Sequence, residues 1–176
     1  MADSAEVIEA REKTNDRNYF LETVKTMPTL IEWANDEIRA DKQVIMNAVS
    51  VDGGALEFAS DELKDDKEVL LTAVKQAGWT CCYASERLKA DKDVLIEACK
   101  NDGQVLYFAS QELRDDKDVV LEAVKNKPII LKYASSRLRG DKDVALAAVS
   151  KGKNKVVEYI DLVLREDEDI KKILEE

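Results

Sequence analysis

The chain has no histidine among its 176 residues. The side chain that most often serves as general base or metal ligand near neutral pH is therefore missing. Cysteine is scarce, and Cys81, Cys82 and Cys99 offer neither metal-ligand spacing nor a disulfide framework. Two prolines and six glycines leave little material for long flexible linkers. No stretch approaches the roughly eighteen apolar residues of a membrane span. The first fifteen residues carry Asp3, Glu6, Glu9 and Glu12 and no apolar run, so no signal peptide is expected. A cytoplasmic, intracellular and reducing setting is the expectation, with no membrane contact, no cofactor, no metal and no small-molecule substrate. Positive charge is also short, 27 basic against 37 acidic residues, for a net charge of -10. A field of that sign repels phosphate and argues against non-specific binding of nucleic acid or anionic membrane.

What the chain does have is a phrase repeated every 25 residues. Each copy opens on an Asp-basic pair: Asp16-Arg17, Asp41-Lys42, Asp66-Lys67, Asp91-Lys92, Asp116-Lys117 and Asp141-Lys142, with a degenerate copy from Asp167. Counting that Asp as position 1, positions 4, 5, 6, 8 and 9 are apolar or small, as in Val69, Leu70, Leu71, Ala73 and Val74. This spacing makes a wide apolar stripe on a helix, and the Asp suits its N-cap. Position 13 holds Pro28, Gly53, Gly78, Gly103 and Pro128. Glycine there can end a helix in the left-handed conformation and proline can begin the next one.

A second helix is expected from about position 14 to 24. Its stripe comprises position 16 (Ile31, Leu56, Cys81, Leu106, Leu131), position 19 (Ala34, Ala59, Ala84, Ala109, Ala134) and position 23 (Ile38, Leu63, Leu88, Leu113, Leu138). Position 18 is aromatic in every full copy, and the alanine row is expected to allow close approach while the aromatics fill the gap beside it. A one-residue insertion near Lys153 displaces the last aromatic to Tyr159. A module of 25 residues is too short to enclose a core, so each copy must bury its second face on a neighbour. The predicted fold is all-α: an α-solenoid of about six stacked helix-turn-helix repeats over 16–166. Capping helices are predicted over 1–15, begun by Asp3 or Ser4, and over 167–176, with Lys171, Lys172, Glu175 and Glu176 on the outer face.

The phrases Asp66 to Lys89, Asp91 to Arg114 and Asp116 to Arg139 resemble the repeats of domain of unknown function 4116, whose unit spans two of these copies. The likeness covers about residues 16–165. The first copy departs from it at Tyr19, Phe20 and Met27-Pro28, and the sixth at Ala145, the insertion and Leu162-Val163. The resemblance implies a helical repeat protein and no assigned activity.

No catalytic constellation emerges from the residues. Cys81 and Cys99 stand where other copies carry Leu and Val and read as core, while Cys82 falls at variable position 17. Asp65-Asp66, Asp115-Asp116 and the acidic run Glu166 to Asp169 lack the loop of a calcium site. Asp52-Gly53-Gly54 and Asp102-Gly103 lack the lysine of a phosphate loop. Core rows must match their neighbours and therefore say nothing about a ligand. Positions 11, 14, 15 and 17 vary, and Val51, Trp79, Tyr107 and Ile129 are the large apolar residues among them. These four are the candidate partner-binding residues of a non-enzymatic scaffold that contacts other proteins, as a subunit of a larger assembly would. The alternative is a basic row at position 24 (Arg39, Lys64, Lys89, Arg114, Arg139, Arg165) that binds nucleic acid or an acidic partner. Acidic neighbours at positions 21, 22 and 1 favour local pairing for that row.

Overall fold

The computed structural model describes residues 4–175. All described secondary structure is helical, and the chain divides into two compact units with the boundary between Lys89 and Ala90, at the end of the third copy. The N-terminal unit holds copies one to three and the C-terminal unit copies four to six with the degenerate seventh. Ser4 caps a helix over Ala5–Glu12, as expected of one of the two candidates. Asp3 and Glu176 lie outside the described residues.

Position 1 is an N-cap throughout. Asp66 Oδ1 accepts the amides of Glu68 and Val69 ahead of helix Lys67–Gln76, and Asp116 Oδ1 those of Asp118 and Val119 ahead of Lys117–Asn126. Positions 4, 5, 8 and 9 of these helices are fully buried: Val69, Leu70, Ala73 and Val74 in one, Val119, Val120, Ala123 and Val124 in the other. Position 6 is only half-buried, as at Leu71.

The second predicted helix is a correction. Positions 13–18 form a 3-10 helix, as in Gly53–Phe58 and Pro128–Tyr133, and positions 21–24 form a single α-turn, as in Asp61–Lys64 and Ser136–Arg139. Between them the position-19 alanine is extended, at φ -66 and ψ 156 for Ala59. The side chain at position 20 then caps the α-turn: Asn35, Ser60, Ser85, Ser110 and Ser135 each accept the amide three residues on. The break frees the position-20 amide to donate backward, from Ser60 to the Arg39 carbonyl at 3.0 Å and from Ser135 to that of Arg114 at 3.0 Å. A continuous helix would spend that amide internally, so the kink is what allows one repeat to hydrogen-bond the end of the one before it.

Within each unit, first helices pack on first helices and 3-10 helices on 3-10 helices, with each first helix also lying on the preceding 3-10 element. The predicted role of glycine at position 13 also changes. No glycine among the described residues has positive φ. A Cβ on Gly53 would instead stand 2.3 Å from the carbonyl oxygen of Ala73 in the next repeat, and one on Gly103 2.5 Å from that of Ala123. Glycine is there for close approach between repeats, whereas Pro28 and Pro128 start their 3-10 helices as expected. The insertion in the sixth copy lengthens its first helix to Lys142–Gly152 and leaves Lys153 at φ 49.

Candidate partner-binding surface

Charged side chains tie neighbouring repeats together before any of them can face a ligand. The basic residue at position 2 reaches the position-1 carboxylate of the next repeat: Arg17 to Asp41 at 2.5 Å, Lys42 to Asp66 at 2.8 Å, Lys92 to Asp116 at 2.9 Å, Lys117 to Asp141 at 2.9 Å and Lys142 to Asp167 at 2.9 Å. The lysines also meet an acid at position 3, as Lys117 meets Asp143 at 2.6 Å. Arg17 lowers the pKa of Asp41, and Lys42 that of Asp66, against the opposing effect of burial.

A second set of joints recurs only in alternate repeats. Asp65 takes the hydroxyl of Ser85 and the guanidinium of Arg87, whose Nε lies 3.1 Å away, and Asp115 takes Ser135 and Arg137, the latter at 3.0 Å. Both carboxyls are held below the usual range, first by the serine and then by the arginine.

Three of the six cations at position 24, Arg39, Arg114 and Arg165, are turned inward. Arg39 donates Nη2 to the carbonyl of Glu32, and Arg165 donates Nε and Nη2 to those of Ile160 and Glu158 at 3.1 and 2.9 Å. Lys89 pairs with Glu86 at 2.8 Å, and the Nε atoms of Arg39 and Arg114 are buried without a hydrogen bond. Arg39 and Arg165 thereby return charge to carbonyls in or just after the same repeat's own 3-10 element.

The variable apolar residues are placed as follows. In the N-terminal unit Val51 and Trp79 are each 48% exposed. The Trp79 indole lies over Gly54, 3.5 Å from where a Cβ would be, and stands edge-on to Tyr83 at 5.8 Å. In the C-terminal unit Tyr107 is 52% exposed and Ile129 half-buried. Position 15, grouped with these variable slots, is instead core: Leu30, Ala55, Val105 and Ile130 are buried, as is Thr80, whose hydroxyl donates to the Ala77 carbonyl.

The position-18 aromatics lean back across the joint on the preceding repeat or the capping helix. Arg11 covers Trp33 at 3.9 Å, Tyr83 donates to Glu57 at 2.9 Å, and Tyr133 meets Tyr107 edge-on at 4.7 Å. They do not fill a gap: Trp33, Phe58, Tyr83, Tyr133 and Tyr159 are half-buried, and Phe108 is 77% exposed beside Tyr107. Nothing in the sequence distinguished Phe108 from the half-buried Phe58 of the same row. Tyr107, Phe108 and Tyr133 together make the most aromatic exposed surface of their unit. Cys81 and Cys99 are buried and Cys82 is exposed.

Tandem all-α modules, joined by the same contacts from copy to copy within each unit, define a helical repeat protein. A family model described as a domain of unknown function (DUF4116) matches residues 16–64, 41–89, 66–114 and 116–165. The chain therefore belongs to that family, and every match spans two of the 25-residue copies. No curated protein and no solved structure matches the chain. Among the described residues no helix is long and apolar enough to cross a membrane.

Proposed function

We propose that this chain is a non-enzymatic helical-repeat scaffold that binds other proteins through its exposed aromatic side chains. The observation that carries this reading is the exposure of Trp79, Tyr107 and Phe108, while the apolar rows repeated from copy to copy are buried. Aromatic side chains supply large contact area at small cost in side-chain entropy and dominate interface energetics. Gly54 and Gln104 fill the slot held by Trp79 and Ile129, so stacking does not require bulk there. Val51 would add to the N-terminal patch, and Ile129 to the surroundings of Tyr107.

The test is crosslinking mass spectrometry in native extract to name the neighbour, followed by substitution of Trp79, Tyr107 and Ile129 by glutamate. The triple variant should lose the crosslinked partner while its helicity is unchanged. Retained binding by a folded triple variant would refute the reading.

A further inference from the structure

The sixth repeat breaks a polar rule that its five predecessors keep. Positions 21 and 22 hold Asp36-Glu37, Asp61-Glu62, Glu86-Arg87, Gln111-Glu112 and Ser136-Arg137, and then Leu162-Val163. In every copy the pair opens the short α-turn and is exposed, so the fold asks for no apolar side chain there. Leu162 is nonetheless 71% and Val163 79% exposed. The five other repeats act as internal controls: stacking alone does not explain the exception.

The surroundings state what kind of surface would cover it. Between residues 158 and 169 lie Glu158, Asp161, Glu166, Asp167, Glu168 and Asp169 against the single cation Arg165. Arg165 is spent on the carbonyls of Ile160 and Glu158. Asp161 stands where the other copies place an uncharged Asn or Ser, adding a charge at the edge of the apolar pair. Lys171 and Lys142 offset Glu166 and the Asp167–Asp169 pair only in part, and the rim stays acidic.

We infer that Leu162 and Val163 form a docking site for a basic amphipathic segment of another protein, whose apolar side chains cover the pair while flanking Lys or Arg meet the acidic rim. This site is separate from the aromatic surface proposed above. A second copy of the chain is a poor fit, because it would bring the same acidic rim. Two side chains also fall far short of the roughly 800 Å² per partner that a stable dimer buries. An anionic membrane meets the same repulsion.

The test uses the full chain and a synthetic amphipathic helix with leucines at i and i+4 flanked by lysines, with a glutamate-flanked twin as control. The variant L162Q/V163E carries the residues of the fourth repeat, which that repeat folds with. Native chain should bind the lysine peptide, less tightly as salt rises, and L162Q/V163E should bind it roughly tenfold or more weakly with an unchanged melting curve. Substituting Trp79 and Tyr107 by glutamate should leave this binding intact, which separates the two surfaces. The inference is overturned if the native chain ignores the lysine peptide, if L162Q/V163E binds it equally, or if the glutamate twin binds as well. A native dimer dissolved by L162Q/V163E would likewise overturn it, assigning the pair to self-association.

Discussion

One carboxylate serves two repeats at Asp141: its Oδ1 accepts the amides of Asp143 and Val144, capping its own helix, while its Oδ2 receives Lys117 of the preceding repeat at 2.9 Å. The same division holds at Asp66, which caps with Oδ1 and takes Lys42 on Oδ2. The recurring Asp-basic dipeptide is thus a joint read in two directions. Its Asp receives from the repeat behind, and its Lys reaches the repeat ahead.

Separating the two roles is a matter of choosing the substitution. Asp141→Ala removes cap and bridge together and should cost about 1–2 kcal/mol. Asp141→Asn keeps an oxygen for the cap and loses only the ion pair, so it should cost less than half as much, because solvent screens such pairs. Lys117→Met should resemble the Asn variant. Urea denaturation of the three proteins would check the order.

The Asp65–Arg87 and Asp115–Arg137 joints alternate with copies that lack them, which makes 50 residues the true structural period. Removing 66–115 would bring Asp65 against Ser135 and Arg137 and set Ile129 over Gly54. Removing 66–90 alone would face Asp65 with Glu112 and Gly54 with Gln104. The longer deletion should therefore melt higher than the shorter, despite losing twice as much chain. Paired thermal denaturation curves decide this.

Close approach at position 13 is equally testable. A methyl on Gly53 would lie 2.3 Å from the Ala73 carbonyl oxygen and force the two repeats apart. Gly53→Ala should destabilise by about 1–3 kcal/mol, as overpacking does, although alanine normally favours helical backbone. Gly54→Ala, where the nearest atoms belong to the side chains of Asp52 and Trp79 at 3.1 and 3.5 Å, should cost much less.

Stability should be nearly flat across the range where histidine titrates, because the chain has none. Asp41, Asp65, Asp66 and Asp115 have folded-state pKa values below their unfolded ones. Their contribution is complete above the unfolded value, near pH 4, and is lost as pH falls through the lower folded values. Urea midpoints measured from pH 7 down to pH 2 should hold steady and then drop only in the acid range.

Much of this was legible in the chain itself. The period, the Asp caps and the buried rows at positions 4, 5, 8 and 9 follow from spacing alone. The break in the second helix did not, because a 3-10 segment followed by an α-turn aligns positions 16, 19 and 23 much as one helix would. The signal was present at Asn35, Ser60, Ser85, Ser110 and Ser135, a row of preferred N-cap residues inside an assumed helix. The joints were hidden for another reason: Lys117 and Asp141 are 24 residues apart, and only the stacking of repeats reveals that they meet. Trp79 and Tyr107 were found by comparing copies, while Phe108 was not, since its row is aromatic everywhere.

The dependence of every module on its neighbour is tested most directly by far-UV circular dichroism of residues 116–140 alone, melted beside the full chain. The isolated segment should be largely unfolded with no cooperative transition, because its capping carboxylate, its position-20 amide and its apolar face all lose their partners from repeat four, while the full chain melts sharply. A helical segment with its own cooperative melt would contradict the account.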